Sequence, residues 1–226
     1  MMKPSFSKSL VLALLLSFGM TSLLTAQPQQ SSSSSEGVAM LQDLRTHLLG
    51  DRTLELDLHI LAMMDQRIEL FNDKAVLTLQ GGNYRLEGEH FIFYADDASV
   101  WQYDPYAEEL TVSQRVVDYT NFLENPLAVL QEEALAHFSV SSPEPMRYQG
   151  EDLQRLLLTS TEGTEAWVIE IGIGPQKNRL RYLNCVRGRE MYQIQILGIR
   201  QHPVVDRSFF TPDASLQQAS ELVDLR

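Results

Sequence analysis

Apolar and polar residues alternate along most of this chain, which is the period of a β-strand with one buried face. The longest alternating run covers residues 53–64, where every second residue is apolar. The same pattern predicts further strands at residues 68–71, 75–79, 84–87, 91–94, 100–103, 109–114, 153–160, 166–173, 179–186 and 192–199, with short terminal strands at 209–210 and 222–225. Helices are therefore expected to be a small part of the fold.

Two segments depart from this alternation. Residues 37–49 carry Val38, Leu41, Leu44 and Leu48 at spacings of three and four, which predicts a helix that ends at Gly50. A second helix is predicted from Asn125 to about His137, because Asn is a good N-cap and Pro126 suits the first helical position. Its apolar stripe consists of Leu127, Leu130 and Ala134.

Short turn signals separate the predicted strands. They include Asn72-Asp73-Lys74, Gly81-Gly82, Asp104-Pro105 and Arg187-Gly188. Consecutive hairpins with one helical interruption predict a mainly β (α+β) fold of about 10–11 strands. We expect an antiparallel meander that curls into a barrel or half-barrel with a helix across one face.

The first 26 residues have the composition of an export signal. Lys3 and Lys8 precede an apolar run, and Thr25-Ala26 provides small residues at its end. We expect cleavage after Ala26, with an uncleaved anchor as the alternative. Residues 27–36 contain five consecutive serines and are predicted to be a linker, which leaves residues 37–226 as a single domain.

Charge and cysteine content narrow the classes of function. The formal net charge is -12, and loss of the two leader lysines would make it -14. Such an acidic surface disfavours nucleic acid as a partner, and we expect a monomer. Cys185 is the one cysteine, so the chain forms no internal disulfide, and its apolar surroundings indicate a buried small residue.

Motifs for chemistry are missing from the sequence. The five histidines show no metal-ligand spacing, and we find no H-E-x-x-H, C-x-x-C, G-x-S-x-G or Walker-type phosphate loop. Adjacent acidic pairs such as Glu108-Glu109 point to opposite faces of a strand and do not form an acid–base pair. We therefore expect a protein that is not an enzyme and that needs no cofactor or metal.

The segment from Asp96 to Val112 resembles a known family. It is similar to the D-G-x-x-[LV]-W-x-Y-[DN]-P-x-x-x-[EQ]-[VA]-T-V segment of outer-membrane lipoprotein carrier proteins, the LolA-like family. Asn125-Pro126-Leu127 after this hairpin, Phe210-Thr211-Pro212 and the final Val223-Asp224-Leu225-Arg226 also resemble that family. The resemblance implies an unclosed antiparallel barrel with a helical lid. It further implies a periplasmic shuttle that receives lipoproteins from an inner-membrane ABC-type release complex and delivers them to an outer-membrane acceptor.

This chain departs from the family pattern at two places. Asp97 stands where the family has Gly, and Gly81-Gly82 stands roughly where the family has an Arg-Pro pair that helps to hold the lid closed. Arg85 is a candidate for the role of the missing arginine. Two alternatives therefore stay open: a generic lipid-binding or envelope-sensing half-barrel, and a structural adaptor with a filled core.

A carrier of acyl chains needs an apolar concave lining. The candidates are Leu56, Leu58, Ile60, Met64, Phe91, Phe93, Trp101, Tyr103, Leu127 and Leu130. The pattern alone favours the ordinary core of a packed sheet, whereas the resemblance favours a lining. A basic cluster is a candidate docking surface for a partner, or a solvated outer face: Lys177, Arg179, Arg181, Arg187 and Arg189.

Overall fold

The computed structural model describes residues 33–50, 52–65, 67–116, 118–161, 163, 165–175 and 180–226. The predicted signal peptide and most of the predicted linker lie outside these residues. Within them the chain forms thirteen strands: β1 Thr53–Met64, β2 Ile68–Gln80, β3 Asn83–Gly88, β4 Ile92–Ala95, β5 Ser99–Asp104, β6 Glu109–Gln114, β7 Phe138–Val140, β8 Glu144–Tyr148, β9 Glu151–Ser160, β10 Val168–Ile173, β11 Leu180–Arg187, β12 Glu190–His202 and β13 Glu221–Asp224.

All thirteen strands belong to one sheet, in the order β13-β6-β5-β4-β3-β2-β1-β12-β11-β10-β9-β7, with β8 paired to β9. Neighbours are antiparallel except for β13, which runs parallel to β6. The end strands β13 and β7 are not paired with each other, so the sheet is unclosed. The predicted mainly β, half-barrel fold class is confirmed.

One face of the sheet, which we call the inner face, is mainly apolar from β9 to β4. Residues directly opposite in a ladder point to the same side, and Leu56 is opposite both Leu77 and Ile199. The row through Leu77 continues to Leu86 and Phe93. Strands β9 to β12 add residues to the same core, namely Leu156, Leu158, Ile169, Ile171, Leu183, Cys185, Ile194 and Ile196. This face is the surface that the rest of the chain must cover.

Two segments cover the inner face. Helix α1, Ser35–Leu48, contributes Leu41, Leu44 and Leu48, and residues 118–137 contribute Phe122 and Leu130. All of these side chains are buried in one continuous core with β1.

Neither helix in the described part of the chain, α1 or α2 (Ala214–Ala219), is long and apolar enough to cross a membrane.

Helix α1 is attached to the edge of the sheet through its first turn. The N–H of Ser34 donates to the carbonyl of Val140 at 2.8 Å, and the N–H of Val140 donates to the Ser33 hydroxyl at 3.1 Å. Ser34 is also the N-cap of the helix, since its hydroxyl accepts from the N–H of Gly37. The helix therefore begins two residues before the predicted start, because serine hydroxyls satisfy free N–H groups at a helix end.

The second predicted helix, from Asn125 to about His137, is wrong in type. The chain forms two separate 3-10 helices there, Ala128–Leu130 and Glu133–His137, with an extended residue at Gln131. Side chains three residues apart lie above one another in a 3-10 helix, which turns both Leu127 and Leu130 towards the sheet. Burial of these leucines, at 1% exposure each, takes precedence over the helix signals.

The predicted turn at Asn72-Asp73-Lys74 is also wrong, since these residues lie within β2. They pair in register with Leu61, Ile60 and His59 of β1. The turn between β1 and β2 comes earlier, at Asp65, which has a positive φ of 54°. Polar residues are tolerated within β2 because their side chains find partners, as in the 2.7 Å hydrogen bond between His59 and Asn72.

The C-terminal segment covers part of the opposite, outer face. The predicted strand at Phe209-Phe210 is instead a 3-10 helix, Arg207–Phe210, and the guanidinium of Arg85 on β3 lies 5.0 Å from the Phe209 ring centroid. Phe210 and the outer-face Leu110 are both fully buried. The predicted terminal strand at 222–225 is β13, and it covers the edge of β6.

Replacement of Gly37 by Ala is expected to loosen helix α1. A Cβ at this position would lie 1.9 Å from the carbonyl oxygen of Ser141, so the helix or the edge strand must move. We expect the free energy of unfolding, measured with urea, to fall by about 1–3 kcal/mol. The matched control is Gly82→Ala, where the nearest atom is an Arg115 nitrogen 3.8 Å away, and its effect should stay within about 0.5 kcal/mol. Equal effects at the two glycines would contradict this account of the docking.

Candidate functional site

Eight of the ten predicted cargo-binding residues lie on the inner face or in its cover. Leu56, Leu58 and Ile60 of β1 are completely buried, and Met64 at the end of β1 is half-buried. Phe91 and Phe93 lie on the same side of the sheet, with ring centroids 5.4 Å apart. Leu127 and Leu130 belong to the covering segment, and both are in the same core. All of them except Met64 belong to one apolar interior or pack against it.

Trp101 and Tyr103 do not belong to this interior. Trp101 is opposite Tyr94, which is opposite Arg85, and this row lies on the outer face of the sheet. Tyr103 is opposite Ile92 and shares that face. Alternation shows which residues share a face but does not show which face is covered by the core. For this reason the prediction placed Trp101 and Tyr103 in the apolar lining, which is wrong.

Aromatic side chains are concentrated at one end of the inner face. Phe71 and Tyr192 are both opposite Ala62 of β1, so they stand on either side of a small residue. Phe71 contacts Phe91, with ring centroids 5.2 Å apart, while Tyr192 contacts Phe122 and Trp167 at 5.7 and 5.8 Å. Phe71 and Tyr192 are only partly buried. The inner face is therefore incompletely covered at this aromatic end.

Four of these aromatic residues were missed as site candidates: Phe71, Phe122, Trp167 and Tyr192. Trp167 does alternate with Ile169 and Ile171, which is a signal that places it on their face. Phe122 lies in a segment without periodicity, so its pattern carried no such signal. The contact between Phe122 and Trp167, 5.0 Å between centroids, joins the cover to β10.

Two cavities open beside the covering segment, and Tyr119 lines both of them. The first has a volume of about 690 Å³ and is bounded by Tyr119, His137, Phe138, Trp167 and Arg187 among others. The second, of about 740 Å³, lies next to Arg45 and Leu49 of α1 and its following turn. Both volumes are in the range of about 300–1,000 Å³ that is typical of ligand pockets.

Polar contacts also join the cover to the sheet, among them a hydrogen bond from Gln201 of β12 to the His47 carbonyl of α1 at 2.8 Å. The Tyr84 hydroxyl of β3 donates to the carboxylate of Glu124, which also accepts from the side-chain amide of Asn121. Burial and the adjacent Glu124 carboxylate raise the pKa of Tyr84 far above its ordinary value, so the hydroxyl remains a donor. Arg45 of α1 pairs with Glu132 at 2.8 Å and joins the two halves of the cover.

Arg85 does not take the role that the missing Arg-Pro pair would have. It lies on the outer face, where it pairs with Glu87 at 2.7 Å and stacks over the rings of Tyr94 and Phe209. Arg115 is the arginine that reaches the Gly81-Gly82 turn. Its guanidinium donates to the carbonyls of Asp96 and Gly82, at 2.5 and 2.6 Å.

Asp97, which stands where the family has Gly, faces the C-terminal segment. Its carboxylate pairs with Arg207 at 3.2 Å, and both side chains are largely exposed. A solvent-exposed pair of this kind contributes about 0–1 kcal/mol. Asp97, in place of the glycine of the family pattern, therefore adds a weak contact to the C-terminal segment on the outer face.

The described members of the basic cluster are each paired with a carboxylate. Arg181 pairs with Glu151, Arg187 with Glu190 and Arg189 with Asp65. Lys177 and Arg179 lie outside the described residues. The paired guanidinium groups present less positive charge to a partner than the sequence suggests, so docking through this cluster stays a prediction.

One group among the described residues has the donor atoms for a metal ion. The ligand atoms of Asp73, Glu89 and His90 all lie within 4.8 Å of one another. The buried Asp73 carboxylate already accepts hydrogen bonds from the backbone N–H groups of Lys74 and Glu89. Its charge is therefore stabilised by the protein itself.

Burial raises the pKa of the Cys185 thiol well above its ordinary value, so this sulfur is not an activated nucleophile.

Comparisons with known proteins concern the fold. The chain resembles an uncharacterized conserved protein from Thermus thermophilus with 11% identity and a TM-score of 0.52, over 83% of this chain and 98% of the other. A LolA superfamily protein from Nitrosomonas europaea matches with 9% identity and a TM-score of 0.44, over 80% and 99%. A putative outer membrane lipoprotein-sorting domain from Vibrio parahaemolyticus matches with 10% identity and a TM-score of 0.40, over 77% and 96%.

The similarity to LolA-like proteins is one of fold. No family model matches the sequence, and no curated protein does. The unclosed sheet, with its covered inner face, is the feature that the sequence resemblance predicted.

Replacement of Tyr84 by Phe is expected to loosen the cover. The change removes the donor to Glu124 and leaves the ring in place, and a hydrogen bond to a charged group contributes about 1.5–3 kcal/mol. We expect a fall of that size in the free energy of unfolding and a rise in the fluorescence of a hydrophobic dye. The control is Tyr94→Phe, on the outer face of the neighbouring strand, which should leave dye fluorescence unchanged. Unchanged dye fluorescence in Tyr84→Phe would mean that this hydrogen bond does not hold the cover.

Proposed function

We propose that this protein is a periplasmic carrier that binds the acyl chains of lipoproteins on the inner face of its sheet. Binding, not catalysis, is the proposed activity. The observation that carries the proposal is the nature of the cover. An apolar inner face is enclosed by one helix and an irregular segment, and not by a second sheet.

A cover of this kind is suited to exchange with an apolar ligand. Leu44, Leu127 and Leu130 lie over the inner face through side-chain contacts, and hydrogen bonds to the sheet come from Glu124 and from the two ends of α1. An acyl chain that enters beneath the cover replaces one set of apolar contacts by another. The net free energy of the exchange is therefore smaller than that of burial from water, which allows release as well as uptake.

The size of the hydrophobic term explains the need for a carrier. Each methylene that leaves water contributes about 0.8 kcal/mol, so a chain of about fourteen carbons contributes on the order of 10 kcal/mol. A lipoprotein exposed to water would aggregate or remain in its membrane. A protein that encloses the acyl chain keeps it out of water, so that the lipoprotein can leave its membrane.

The aromatic end of the inner face supports entry at that position. The small Ala62 lies between Phe71 and Tyr192, and both of these rings are partly exposed. The 690 Å³ cavity is lined by Trp167, whose ring contacts that of Tyr192. Half-exposed aromatic rings provide apolar surface for a chain to enter before the cover is displaced.

The proposed route includes partners at both membranes. The protein would receive lipoproteins from an inner-membrane ABC-type release complex, since its sequence contains no phosphate-binding loop of its own. It would deliver them to an outer-membrane acceptor or to the membrane itself. Export would depend on the predicted cleaved leader at residues 1–26, and the carrier would act as a monomer.

Native mass spectrometry of the protein purified from the periplasm without detergent tests this function directly. We expect a bound mass that matches a lipoprotein. A bound phospholipid or free fatty acid would instead support a generic lipid-binding domain. An empty protein that also fails to bind a hydrophobic dye would contradict any role in lipid binding and support the structural adaptor.

Two adjacent methionines provide a matched pair of variants. Met64 and Met63 are both half-buried at the end of β1, but alternation puts Met64 on the inner face and Met63 on the outer face. Met64→Glu places a charge beside the proposed path of the chain, and burial of an unpaired charge is costly. We expect at least a tenfold loss of affinity for an acylated peptide in Met64→Glu and little change in Met63→Glu, measured by titration calorimetry. Equal losses would indicate general destabilisation.

A further inference from the structure

One residue that lines the cavity of about 690 Å³ beside the covering segment carries a buried donor without an acceptor. Trp167 lines this cavity and is 5% exposed. Its ring is held by Phe122, with centroids 5.0 Å apart and the rings nearly perpendicular, and by Tyr192 at 5.8 Å. Its indole N–H has no hydrogen-bond acceptor in the part of the chain that the structure describes.

An unsatisfied buried N–H is uncommon, because the group loses its hydrogen bonds to water and gains none in return. Most buried donors in native proteins have a partner, and those that lack one need an explanation. The Arg187 guanidinium lies over the same ring, 4.5 Å from its centroid. A cation above the ring withdraws electron density from it, which makes the indole N–H a stronger donor. The site is therefore prepared for an acceptor that the described chain does not supply.

The charges around the cavity restrict the kind of acceptor. Asp118 and Glu165 line it, together with His137 and Arg187. The positive charge of Arg187 is already matched by Glu190, at 3.0 Å. The two lining carboxylates therefore leave an environment that repels a carboxylate or phosphate ligand. An uncharged carbonyl oxygen can accept the N–H without this repulsion.

We propose that Trp167 binds the ester or amide carbonyl through which an acyl chain is attached to a larger cargo. This inference rests on the proposed function and specifies its ligand: attached acyl chains, in preference to free fatty acids and anionic phospholipids. The position of Trp167 agrees with an acyl chain that continues along the inner face of the sheet. Trp167 contacts Tyr192, and Tyr192 is opposite Ala62 on the inner face.

The two tryptophans of the chain make the test specific. Trp167 is at the cavity, whereas Trp101 is on the outer face of the sheet and serves as the internal reference. We would record the two indole N–H resonances of the ¹⁵N-labelled protein by NMR during titration at pH 8. The probes are methyl laurate and laurate, which share one chain and differ in the charge of the head. Both are added from cyclodextrin, and binding is quantified separately by calorimetry.

Saturating methyl laurate should move the Trp167 resonance downfield, as hydrogen bonding does, and leave the Trp101 resonance in place. Laurate should bind at least tenfold more weakly. Trp167→Phe preserves the aromatic contacts and removes the donor, so its affinity for methyl laurate should fall roughly five- to tenfold. Trp101→Phe identifies its own resonance and should bind like the wild type. Thermal unfolding of both variants establishes that they are folded, and the comparison of the two probes on the wild type does not depend on them.

The outcomes separate this inference from the function on which it rests. Methyl laurate that binds without moving the Trp167 resonance would overturn the inference and leave the carrier function in place. Equal affinities for methyl laurate and laurate would do the same. Failure of both probes and of an acylated peptide to bind would overturn the proposed function, and the inference with it.

Discussion

An unclosed sheet with one apolar face must be covered by something other than itself, and most of this structure follows from that constraint. The inner face is continuous from Leu156 on β9 to Phe93 on β4, and the sheet does not close to hide it. Helix α1 and the segment 118–137 provide the cover. Gly37 and the serines before it matter because they place this cover at the sheet edge.

The same constraint connects the fold to the proposed activity. A closed barrel with a filled interior would bury its apolar residues permanently. Here apolar side chains attach the cover to the inner face, and its polar links to the sheet include Tyr84, Gln201 and the N-cap of α1. Because the interior is shared by two separate parts of the chain, one part can move while the other stays. A carrier needs a cover of which one part can move, and a structural domain does not.

Much of the fold could be predicted from sequence because alternation is a strong signal in a two-sided sheet. It correctly placed β1 and identified Leu56, Leu58 and Ile60 as buried. It could not show which face of β5 is inside, and so Trp101 was assigned to the wrong side. The segment after Asn125 has helix signals, but burial of its leucines decides its conformation. Local patterns determine strands well, whereas long-range packing determines the cover and its cavities.

The position of β1 in the sheet affects how the chain can fold. β1 pairs with β2, its neighbour in sequence, and also with β12, so that Met64 lies opposite Glu190. At one end of the sheet, β13, which is formed near the C-terminus of the chain, pairs with β6. Both pairings join distant parts of the sequence, and such contacts form slowly because a long loop must close first. The central strand therefore lacks one neighbour until almost all of the chain is available. The N-terminal strands β1 to β6 can pair locally, but the sheet is completed only when β12 and β13 are available.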